Sequence, residues 1–158
     1  MVYNLVNRSL GICDLLKLVN LVAYIFMKKR IIFTASVFGA LAVIAGAFGA
    51  HGLEGSLSPK NLAIWHTAVE YQFYHTAALG ILSTLTRYRI KIIKHCYYLF
   101  LGGIIFFSGS LYLLSCASVI GLSWITPVMG PITPFGGVLL IAGWVVLGLA
   151  ALKIKYKG

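Results

Sequence analysis

Four apolar runs, each long enough to cross a bilayer, govern what this chain can become. They are Ile31–Ala50, about Leu62–Thr86, about Tyr97–Ile120 and about Phe135–Leu152. A spanning helix needs roughly 20 predominantly apolar residues to cross a hydrocarbon core of about 30 Å. Each run meets that length, the fourth near its short end. The 158 residues are 60% hydrophobic and only 10% charged, against about 45–50% apolar and about 25% charged in a soluble domain. A soluble fold of this size has too little interior to hide so much apolar surface, so lipid must cover it. The expected architecture is all-α: an integral membrane four-helix bundle with helices at about 31–50, 59–86, 97–120 and 135–152.

The charge pattern orients the bundle. Net charge is +10, which taken alone suggests a nucleic-acid partner. The positions argue for lipid instead. Lys28, Lys29 and Arg30 precede the first run. Arg87, Arg89, Lys91 and Lys94 link the second and third, and Lys153, Lys155 and Lys157 follow the fourth. The other two connections, His51–Asn61 and Gly121–Pro134, are nearly free of charge. Positive loops stay on the cytoplasmic side, so both termini are expected there. The expected partners are the lipid bilayer and a homo-oligomer or another membrane protein, with no nucleic acid.

Residues 1–26 differ from residues 27–158, which carry the four spans. The leader is Leu- and Val-rich but includes Arg8, Asp14 and Lys17. Its loose helical period fits an amphipathic helix on the membrane surface. Met27-Lys28-Lys29-Arg30 before an apolar run is also a common membrane-protein start, and the favoured reading is that translation begins there. A signal peptide over Met27–Ala47 is disfavoured, because the remaining spans need an even, inside-start topology.

Ser58-Pro59 predicts the start of the second helix: the Ser side chain caps free N–H groups, and proline at the first helical position loses no bond. Gly121–Pro134 holds three prolines and is expected to be an outer loop. Ala35, Gly39, Gly46 and Ala50, with Gly102/Gly109 and Gly136/Gly143, are small residues at helical spacing, where backbones can approach closely.

The second span carries the most informative polar residues. His66 and Glu70, four apart, share one face, while Tyr71, Gln72 and His75 form a second patch. A charge at membrane depth costs about 2.5–3.5 kcal/mol on insertion scales. Glu70 and His66, with His51 at the outer end of the first span, are therefore a candidate proton or ion site. Tyr71, Gln72 and His75 are candidate interhelical contacts, with Ser108, Ser110 and Tyr112 across from them. His51, His66, Glu70 and His75 include zinc and haem ligand types but lack ligand spacing, so no metal or cofactor is expected. Cys13, Cys96 and Cys116 have neither metal-type nor disulfide-type spacing. No nucleophile elbow or phosphate loop is present, so no catalytic residue is assigned and the chain does not read as an enzyme.

Five segments carry a family resemblance: Gly46-Ala47-Phe48-Gly49-Ala50-His51-Gly52-Leu53, Tyr71-Gln72-Phe73-Tyr74-His75-Thr76-Ala77, Ser108-Gly109-Ser110-Leu111-Tyr112, Ile132-Thr133-Pro134-Phe135-Gly136-Gly137 and Ala142-Gly143-Trp144. Together, in this order, they resemble the YgdD/YwdK-like family of small bacterial integral membrane proteins of unknown function. The resemblance covers about Met27–Leu152. It implies a multi-pass protein of the bacterial inner (plasma) membrane, places residues 1–26 outside the family unit, and supplies no activity. The expected function is a structural or accessory membrane component. The alternative is a small proton- or cation-handling transporter or channel subunit using Glu70 and His66.

Overall fold

The computed structural model describes residues 12–86 and 90–152. Arg87, Arg89, the basic tail from Lys153 and the leader before Ile12 lie outside the described residues. What is described is all-α: α1 (Ile12–His51), α2 (Pro59–Leu85), α3 (Ile90–Gly103), a π turn (Ile104–Ser108), α4 (Gly109–Cys116) and α5 (Thr126–Leu152), with a short 3₁₀ turn at Ser123–Ile125. The segment α3–π–α4 is one rod, the third span. The four helices form a bundle in which α1 packs mainly on α2, α5 packs mainly on the rod, and α2 joins the two pairs through α4.

Three of the four helices are long and apolar enough to cross a membrane: α1, the rod from Lys91 to Cys116, and Ser123–Leu152. The expectation that all four qualify by composition fails for α2, whose polar residues dilute its apolar content. Packing against α1, α4 and the π turn places α2 in the bundle instead. Trp65 sits against Gly49 near one end of α1. Leu79 and Leu82, toward the other end of α2, join Met27 and Ile31 from the middle of α1 in the core, with Ile93, Cys96, Tyr97, Phe100, Ile104 and Leu140. Ser58 Oγ accepts from the Asn61 amide at 3.3 Å, and Pro59 opens the helix.

Three helices start earlier than the apolar runs, the third span beginning at Ile90 rather than about Tyr97 and ending at Cys116 rather than about Ile120. α1 continues unbroken from Ile12 through the basic cluster, since neither Gly nor Pro occurs between Ile12 and Phe38 to stop it. α5 starts at Thr126, replacing most of the expected 121–134 loop with helix. Pro127 lies in the first turn, where its missing N–H costs nothing. Pro131 and Pro134 lie inside the helix, each removing one backbone bond. The carbonyls left without an i+4 amide are those of Pro127 and Gly130, and Thr133 Oγ1 donates close by, to the Met129 carbonyl, at 3.3 Å.

The π turn was not foreseen. The Gly109 amide donates to the Ile104 carbonyl, five residues back, which widens the rod by one residue. α5 approaches closely there: a Cβ on Gly136 would lie 2.3 Å from the Phe107 backbone nitrogen. At the other end of the bundle, Arg30 lies over the rings of Tyr97 and Tyr98, 5.4 Å from each centroid. Arg30 and Lys94 line one pocket with Ala23, Phe26 and Met27, so the basic residues of α1 and α3 gather at the same end.

Candidate functional site

The two polar patches of α2 face opposite ways. Ala68, Gln72, His75, Thr76, Leu79, Leu82 and Ser83 are buried. Ala63, His66, Glu70, Phe73, Ala77, Ile81 and Thr84 are exposed. At about 100° per residue these sets fall on opposite sides of the helix. Gln72 and His75 therefore enter the bundle, and Glu70 points directly away from it.

The inward patch is tied to three other helices. Gln72 Nε2 donates to the Phe38 carbonyl of α1 at 2.8 Å, and Tyr112 of α4 donates its hydroxyl to Gln72 Oε1 at 3.0 Å. One amide thus bridges α1, α2 and α4. His75 Nδ1 lies 2.7 Å from the Tyr71 carbonyl, and Trp144 Nε1 of α5 donates to His75 Nε2 at 3.2 Å. A carbonyl only accepts and an indole only donates. Nδ1 therefore carries the proton, Nε2 accepts, and the imidazole is neutral. Tyr71 packs on Phe107, with ring centroids 4.6 Å apart.

Ser110 meets Thr133 of α5 at 2.7 Å, and Thr34 of α1 meets Tyr97 of α3 at 2.9 Å. Trp65 donates to the Ala45 carbonyl at 2.9 Å and sets its ring edge-on to Tyr112. Interhelical bonds of this kind contribute about 0.6 kcal/mol on average in a membrane bundle. Ser108, considered as a partner for Gln72 or His75, instead has a buried hydroxyl without a hydrogen-bond partner, as does Thr76. Beside the Gln72–Tyr112 pair, an apolar groove of about 480 Å³ runs between Phe38, Phe48, Ile104 and Ile105.

The outward patch has no such network. Among the described residues the one salt bridge joins Lys17 and Asp14 at 3.2 Å, leaving Glu70 and His66 unpaired within one copy. His66 lies beside the end of α1: a Cβ on Gly49 would be 3.7 Å from its Cε1. His51, the last residue of α1, is exposed. No group of three His, Cys, Asp or Glu side chains converges among the described residues. His75 is separated from His51 and His66 by the body of α2.

Trp144 and Thr133 stand in the sequence only as members of the family-resembling segments, not as polar contacts, and the Phe38 carbonyl is not marked at all. Trp144 had a usable signal, because an indole N–H buried away from water needs an acceptor. The Phe38 carbonyl had none.

The family model described as "Protein of unknown function (DUF423)" matches residues 45–137. The UPF0382 membrane protein SERP0230 of Staphylococcus epidermidis is 42% identical over 125 residues, covering 79% of this chain and 97% of that protein. The UPF0382 membrane protein SSP2132 of Staphylococcus saprophyticus is 41% identical over 129 residues, covering 80% and 99%. The UPF0382 membrane protein YwdK of Bacillus subtilis is 39% identical over 127 residues, covering 79% and 98%. No solved structure matches the chain.

Proposed function

The chain belongs to the DUF423 family, a bacterial membrane-protein family of unknown function, and on that premise we propose that it is a structural or accessory component of the bilayer rather than an enzyme. The observation that carries this reading is the use made of the inward polar groups. Gln72, Tyr112, His75, Trp144, Ser110 and Thr133 are bonded across helices. That is how polar side chains hold a bundle together in lipid, where an unpaired group has no water to turn to. Vesicles containing the purified protein should show no proton-driven flux above empty vesicles, with either wild-type protein or Glu70→Gln. A flux present in wild type and lost in Glu70→Gln would overturn the reading and restore the transporter assignment.

The proposed orientation keeps both ends in the cytoplasm, with the membrane unit spanning residues 27–158 and residues 1–26 as an extension to it. The gathering of Arg30 and Lys94 at one end supports this, since positive residues are retained inside. Reporter fusions after Lys94 and after Gly158 should read cytoplasmic, and a fusion at Gly55 should read external. An external signal at Lys94 would refute the orientation.

A further inference from the structure

The outward face of α2 poses a problem that one copy leaves unsolved. Glu70 lies about 16 Å along the helix from Pro59, at 1.5 Å per residue. α2 is about 40 Å long and the hydrocarbon core about 30 Å. A centred helix therefore places Glu70 about 11 Å inside the apolar layer. It is exposed there, opposite the bundle interior, with no cation or donor among the described residues of its own copy paired to it. The exposed sides of α1 and α5 differ, presenting Phe33, Val37, Leu41, Val138, Ile141 and Val145, as lipid contact requires.

The complement to Glu70 is on the same face, one turn away. His66 is equally exposed and can donate through either ring nitrogen, or through both when protonated. Within one copy the two are not bonded. Two copies related by a twofold axis along the membrane normal meet like residue against like, with each Glu70 also within one turn of the other copy's His66 and the reverse contact following by symmetry. Ala63 and Ala77, two turns above and below Glu70, are small on this face, and Phe73 packs between the His66 and Ala77 levels. We propose that this face of α2 is a homodimer interface in which Glu70 of one copy and His66 of the second form a reciprocal pair. This deepens the accessory-component reading, on which it rests, by naming a second copy as the partner.

Single-molecule photobleaching of the wild-type chain, sparsely reconstituted in phospholipid vesicles, should show two steps. With Cys13, Cys96 and Cys116 replaced by alanine, Ala63→Cys and Ala77→Cys should each form disulfide-linked dimers. Val138→Cys, exposed on α5, should not. Glu70→Ala or His66→Ala should lower the dimer constant by about tenfold or more, and the exchange His66→Glu with Glu70→His should restore it. Single-step bleaching, cross-linking at Val138 equal to that at Ala63, or a dimer indifferent to Glu70→Ala would each overturn the interface. A monomer without flux would leave the accessory reading standing, whereas flux would remove that reading whatever the oligomeric state.

Discussion

Gly136→Ala should destabilise the folded bundle by about 1–3 kcal/mol, the usual cost of forcing an extra methyl into a packed site. The added Cβ would lie 2.3 Å from Phe107 N and 2.8 Å from both Phe106 C and Phe107 Cα. These are backbone atoms of the π turn and cannot rotate aside, so α5 and the third span must separate. Gly143 and Gly49 differ in kind. Their added methyls would meet the rings of Phe100 at 2.8 Å and Trp65 at 2.6 Å, and a side chain can shift. Gly148, also in α5, has nothing within 4 Å of its added methyl. Gly148→Ala should be neutral, or stabilising by up to about 1 kcal/mol through helix propensity. Thermal unfolding in detergent, followed by circular dichroism, compares the two. Equal losses at positions 136 and 148 would show that the close contact at the π turn does not exist.

Gln72→Leu should lower stability by about 1–3 kcal/mol, because two interhelical bonds are lost at once and the maximum measured for one is about 1.7 kcal/mol. Leucine keeps most of the volume, so the loss reports the amide rather than a cavity. Tyr112→Phe removes only the bond to Gln72 Oε1 and should cost less. The double variant should be less destabilised than the sum of the two singles, because the second substitution then removes a bond already gone. Strict additivity would show that Gln72 and Tyr112 do not interact. Gln72→Glu should be milder than Gln72→Leu, because a protonated carboxyl accepts from Tyr112 and donates its O–H toward the Phe38 carbonyl.

Much of this architecture is legible in the chain, for definite reasons. Span number and order follow from apolar runs bounded by charge, because lipid penalises charge whatever the tertiary detail. The start of α2 follows from Ser58-Pro59, a local signal that needs no distant partner. The α5 prolines mislead, because proline is a helix breaker in water. Here Pro127 occupies a first turn, and Thr133 supplies a bond near the interior prolines.

The π turn was invisible for another reason. It lies where Gly136 meets the Phe106–Phe107 backbone, two positions about thirty residues apart that no local pattern connects. Helical spacing separated the two polar patches of α2, but it could not say which entered the bundle. His66/Glu70 and Tyr71/Gln72/His75 each contain groups able to demand a partner. Burial assigns Gln72 and His75 of the second patch to the interior and leaves Tyr71 exposed, and only the placement of Phe38, Tyr112 and Trp144 made that choice.

The neutral His75 ring has an electrical consequence. One elementary charge moved across the full membrane potential is worth about 2.3 kcal/mol per 100 mV. The polar side chains at the centre of the described bundle are an amide, an imidazole held neutral by its two partners, hydroxyls and an indole. None offers a net charge on which the field can pull. The helix contacts they make should therefore hold equally in an energised and a de-energised cell, and any voltage sensitivity of this protein must enter through its outer surface.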